Sequence, residues 1–171
     1  MWYHIYMAEN TDLYLRNIIF GMSDSLVSTI GLLSGIDASG VNHQSIIATG
    51  IIYAFVAAFS MAVGSFLSEQ SAEQYKTRGE VVNTRALTGA VIMFVSFVGA
   101  TFIPMIPYLV SNSELDLIFS ILLAIVSLFV VGAISARMSG VSIIKHGFSM
   151  AGLGGLAIII GVLVGKFVRV V

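Results

Sequence analysis

Asp24, Ser28 and Met61 are the residues whose types and spacing invite chemistry, because each interrupts a run that is otherwise apolar. The stretch GMSDSLVSTIGLLSG, residues 21–35, sets an aspartate among hydroxyls and glycines. Offsets of four, three and four residues put Asp24, Ser28, Gly31 and Gly35 on one helical stripe. Carboxylates inside membranes are rare and mark ion or proton pathways. The plainer reading is a carboxylate that bonds a neighbouring hydroxyl or stays wet near the interface. Gly31 and Gly35 form a small-xxx-small pair that lets another helix approach. The stripe therefore reads as a packing seam, as the lining of a pathway with Ser28 in its wall, or as both if two copies of the first helix meet there.

In the second apolar run, a face through Ala57, Met61, Gly64 and Ser68 is small apart from one thioether. Asp24 lies eight residues after Arg16 and Met61 eight before Glu69, which places each about 12 Å from its flank and predicts a common depth. A carboxylate beside a thioether suits Fe²⁺, Mn²⁺, Co²⁺ or Zn²⁺ and suits Mg²⁺ or Ca²⁺ poorly. Twofold symmetry would supply two of each ligand. On spacing alone Met61 reads first as filler between helices and second as a ligand. A metal bound this way is cargo, and no permanently held cofactor is expected.

Positioning such groups requires membrane-spanning helices. The chain has 171 residues, 57% of them hydrophobic and 10% charged, with a mean hydropathy of +0.98, against roughly 45–50% apolar and 25% charged in soluble domains. An all-α integral membrane protein follows, with membrane lipids as its solvent. A hydrocarbon core about 30 Å thick needs about 20 helical residues, and five runs qualify, near 18–36, 46–67, 86–109, 117–136 and 148–168. Residues 1–17 mix Trp2, Tyr3, Tyr6 and Tyr14 with Glu9, Asp12 and Arg16, the pattern of a short interfacial helix. Residues 68–85 form the longest connection, a cytoplasmic loop. Pro104 and Pro107 end or kink the third span, and the glycines of the fifth predict close packing.

Basic residues orient the bundle. Arg16, Lys76, Arg78, Arg85, Arg137 and Lys145 flank one side, Lys166 and Arg169 the other, so the N-terminus is expected in the cytoplasm and the C-terminus outside. A net charge of −1 without a basic run excludes a nucleic-acid footprint. With no cysteine, thiolate sites and disulfides are excluded. The first twenty residues have no basic segment before an apolar core, so no cleaved signal peptide is expected. No nucleophile triad, nucleotide loop or zinc-protease motif is found, and the chain is not expected to be an enzyme.

The run RNIIFGMSDSLVSTIGLLSG, residues 16–35, resembles the first-helix signature of the vacuolar iron transporter family, which includes iron/manganese and nodulin-like transporters. AAFSMAVGSFLSEQS, residues 57–71, resembles its second-helix signature, and IPMIPY at 103–108 and GAISARMSG at 132–140 follow in the family's order. The resemblance implies a homodimer of five-helix protomers, joined through the first helix, that exports Fe²⁺ or Mn²⁺ from the cytoplasm in exchange for protons. It also implies that Asp24 and Met61 contact the metal. Two departures stand out. Ser65 takes a place where many members carry Glu, and Tyr53 and Phe55 lie where some carry a further acid, so coupling could rest on Asp24 alone. The loop 68–85 replaces a long acidic metal-binding domain. Its Glu69, Glu73 and Glu80 read first as a solvated helix end balanced by Lys76, Arg78 and Arg85, and second as cation contacts at the inner mouth.

Two alternatives stay open: a membrane protein that binds or senses metal without moving it, and a passive cation channel. The short chain favours a cell membrane over a vacuolar one. His43 and His146 lie at span ends and read as interfacial.

Overall fold

The computed structural model describes the backbone over residues 2–78 and 84–170, and side chains over 12–78 and 84–169. Five helices account for nearly all of it: α1 (Trp2–Ser39), α2 (His43–Thr77), α3 (Thr84–Val110), α4 (Asp116–Ser139) and α5 (Ile143–Val170). All five are long and apolar enough to cross a membrane, and the protein is an integral, multi-pass membrane protein. Helices are required because hydrocarbon offers no hydrogen bonds, and a helix satisfies its backbone groups within one segment.

Element boundaries differ from the sequence expectation in two places. The interfacial segment and the first span form one unbroken helix, with nothing between residues 2 and 39 to stop it. Helix α2 continues through the first half of the expected loop to Thr77 and ends at Arg78, whose φ of 53° is left-handed. The connection to α3 is correspondingly shorter. Pro104 and Pro107 lie inside α3, which runs on to Val110. The carbonyl of Pro104 is bonded by the Ser120 hydroxyl of α4 at 2.6 Å.

Helix α1 lies at the centre. It packs most extensively on α5 and α3, and less on α4 and α2. Among the described residues, helix α2 otherwise touches only α3, and α5 only α4, so the four outer helices form a ring that stays open between α2 and α5. Buried Leu26, Ala100, Leu128 and Val131 form one core cluster, and Leu33, Ile46, Met105 and Tyr108 another. Between α1 and α3 the Ser25 hydroxyl bonds the Phe97 carbonyl at 2.8 Å and the Thr101 hydroxyl at 2.7 Å.

The glycine stripe of α1 is used within the protomer. A side chain added at Gly161 of α5 would start 2.0 Å from the Gly31 carbonyl oxygen, and one at Gly165 would start 1.9 Å from that of Gly35. The two backbones touch there, which only glycine permits. The expected seam between copies of α1 is therefore filled by α5 along its Gly31–Gly35 half.

Candidate metal pathway

Below Gly31 the two helices separate, and Asp24 occupies the opening. It lines a groove of about 360 Å³ with Phe20, Ser23 and Val27 of α1, Leu128 of α4 and Leu153, Leu156 and Ile160 of α5. The Ser28 hydroxyl bonds the Asp24 carbonyl oxygen at 2.5 Å, and the Ser23 hydroxyl bonds the Ile19 carbonyl at 2.7 Å. These contacts fold the hydroxyls back onto the helix and leave the Asp24 carboxylate without a donor among the described residues. Asp24 is only partly buried, and apart from Ser23 and the Met150 thioether the wall around it is apolar.

Met61 faces a second groove, of about 380 Å³, lined by Arg16, Asn17, Phe20, Ser60, Gly64, Ser65, Ser68 and Met93. Six waters occupy roughly 180 Å³ in the liquid, so a hydrated divalent ion fits either groove. Phe20 lines both and is half-exposed. Asp24 and Met61 are thus neighbours across one aromatic ring and do not share a cavity within one protomer.

Polar contacts set the register of α1 against α2. The Ser65 hydroxyl reaches Asn17 Oδ1 at 3.3 Å, and Tyr53 lies near Ser28. By this register Met61 stands opposite Gly21, about one helical turn, roughly 5 Å, below Asp24. The common depth expected from equal spacing to the flanks holds only to within that turn, because Arg16 spans the offset with its long side chain to reach Glu69.

Tyr53 and Met93 are the residues that sequence reasoning passed over. Tyr53 lies near Ser28 and Asp24, with its ring 6.2 Å from that of Phe97. Met93 is one of eight methionines, and nothing in the sequence sets it apart. Its sulfur packs over Gly21, where an added side chain would begin 3.1 Å away, and it joins Met61 in the lower groove. No one-dimensional signal pairs these two thioethers, since they are 32 residues apart on different helices.

The acidic candidates near the second helix end are used differently. Glu69 forms an ion pair with Arg16 at 3.2 Å. Glu73 is partly buried one turn on, with its carbonyl accepting from Thr77 at 2.9 Å. Glu80 lies outside the described residues. Among the described residues no three of His, Cys, Asp and Glu come close enough together to hold a metal. Among the described residues, Asp24 and Met61 of a single protomer do not by themselves make a complete coordination shell.

Comparison with known proteins agrees with this architecture. The model of the VIT family matches residues 15–85 and 75–166. The chain is 21% identical over 203 aligned residues to vacuolar iron transporter 1 of Arabidopsis thaliana, covering 84% of this chain and 81% of that protein.

Proposed function

Because the chain belongs to the VIT family and its Arabidopsis relative is named for iron, we propose that this membrane transporter carries Fe²⁺ and Mn²⁺ out of the cytoplasm in exchange for protons. One observation carries the reading. The Asp24 carboxylate stands without a donor on the open side of the ring, next to Tyr53 and one turn above the Met61 and Met93 sulfurs.

A carboxylate facing lipid at mid-depth costs about 2.5–3.5 kcal/mol on insertion scales. A second copy laid against the open side would cover it. Twofold symmetry then faces two Asp24 and two Met61 across a shared path, with Ser28 in its wall, and completes a mixed oxygen and sulfur shell. Metal displaces the proton of Asp24 on entry, and a proton displaces the metal on exit. The basic flanks at Arg16, Arg78 and Arg137 put the N-terminus in the cytoplasm, so metal enters from the Glu69 end. A bacterial-type cell membrane is the expected location.

Reconstituted vesicles holding a metal-sensitive dye test this. Mn²⁺ or Fe²⁺ flux should follow an opposing pH gradient, and Asp24→Asn should lower it about 100-fold or more, as loss of a ligand exceeds the 10–100-fold of second-shell changes. Unchanged flux in Asp24→Asn defeats the mechanism. Flux that ignores the gradient and treats Mg²⁺ like Mn²⁺ identifies a channel, and stoichiometric binding without flux identifies a metal-binding protein.

A further inference from the structure

At the end of the bundle opposite Arg16 and Glu69, four helix termini converge. Asp37 lies in the last turn of α1, His43 opens α2, Tyr108 lies in the last turn of α3 and Asp116 opens α4. His43, which reads from sequence as interfacial, has an acceptor at one ring nitrogen and a carboxylate within ion-pair reach of the other. Nε2 is 2.9 Å from the Tyr108 carbonyl oxygen, which can only accept, so Nε2 carries a hydrogen. Nδ1 faces Asp116 Oδ2 at 3.8 Å. A neutral imidazole has one N–H, and with it on Nε2 the Nδ1 lone pair points toward a carboxylate. An imidazolium has two, and answers both acceptors.

A carboxylate and an aromatic ring face the imidazole. Asp116 is 2% exposed and fixed by the Ser111 hydroxyl and by the Ser113 N–H at 3.0 Å. The Tyr108 ring lies 5.8 Å from that of His43, within the range at which an aromatic face attracts a cation. The buried Tyr108 hydroxyl completes no hydrogen bond of normal geometry and lies near Asp37. From α5, Arg169 lies against Gly40; Lys166 and Glu114 are exposed at the same end.

We propose that His43 is a proton-binding site, taking a second proton onto Nδ1 between its ring and Asp116. The proton comes from water at the rim, where His43 is partly exposed, and nothing is oxidised or reduced. This deepens the exchange reading above and rests on it for direction: the end that releases metal also holds a group that takes up protons, and Asp24 is not the sole titrating site.

Full-length protein in lipid nanodiscs with ¹⁵N-labelled imidazoles provides a test independent of transport. His43→Gln, which keeps an amide donor for the Tyr108 carbonyl, assigns the resonance. Acidification from about pH 8 to about pH 5, the range in which histidines change charge, should add a proton at His43 Nδ1, and Asp116→Asn should shift that change to more acidic pH. In vesicles, His43→Gln should weaken the dependence of metal flux on pH at this face, leaving the part that Asp24 carries. A His43 ring that stays singly protonated throughout overturns the proposal, as does a transition that Asp116→Asn leaves in place. If Asp116→Asn does not fold, the flux arm decides: weakened pH dependence in His43→Gln supports the site and unchanged dependence overturns it. Wild-type flux indifferent to any pH gradient defeats the exchange reading, while the imidazole spectrum still decides this one.

Discussion

Gly161 of α5 rests its backbone on the carbonyl of Gly31 in α1, so closely that an added Cβ would begin 2.0 Å from that oxygen. Helices this near exchange backbone contacts that larger residues would prevent. Gly161→Ala must push α5 outward, and overpacking of this kind costs about 1–3 kcal/mol. We expect a lowered thermal midpoint in detergent for Gly161→Ala and a larger loss for Gly161→Leu. Gly152, which has open space where a side chain would go, should accept alanine with little change.

Met61 and Met93 share a groove, and leucine conserves their volume while removing sulfur. Volume-conserving swaps cost under about 1.5 kcal/mol, so both Leu variants should fold. If the thioethers select the metal, Met61→Leu should lower Fe²⁺ and Mn²⁺ flux relative to Mg²⁺, with a smaller effect at Met93. A competition flux assay reads the ratio; an unchanged ratio in both variants assigns the sulfurs to packing.

Arg16 and Glu69 join α1 to α2, yet the Arg16 side chain is 68% exposed. Pairs of this kind contribute about 0–1 kcal/mol. A double-mutant cycle with Arg16→Gln and Glu69→Gln should return a coupling within that range, shrinking as salt is raised. A coupling several times larger would show that the pair is desolvated in the membrane.

Tyr108 holds a buried hydroxyl that completes no hydrogen bond. Such a group carries its desolvation penalty unrelieved. Tyr108→Phe should leave the thermal midpoint unchanged or raise it by the equivalent of up to about 1 kcal/mol, and a clear loss of stability would mean that contact with Asp37 matters more than geometry indicates.

Metal that binds the folded state should stabilise it. At a hundredfold excess over the dissociation constant the gain is about 2.7 kcal/mol. Mn²⁺ should raise the midpoint of the wild type and leave that of Asp24→Asn unmoved, while Mg²⁺ should affect neither. Chelation should reverse the shift.

The sequence by itself determined that the chain is a bundle of five apolar helices, because hydrocarbon thickness and backbone satisfaction leave few options for such composition, and the runs at 16–35 and 57–71 carried the family resemblance. It also singled out Asp24, since one carboxylate in an apolar run is conspicuous in one dimension. Tertiary structure decided what each face of α1 meets. Gly31 and Gly35 read as a seam between two copies, but the matching glycines at positions 161 and 165 lie on α5, and only packing pairs them. Asp24, on the same stripe, stays open because α1 and α5 separate below Gly31. The lower groove and the far-end cluster were illegible for the same reason: Met61 with Met93, and His43 with Tyr108 and Asp116, are pairs distant in sequence that become neighbours only when helix termini and faces are set side by side.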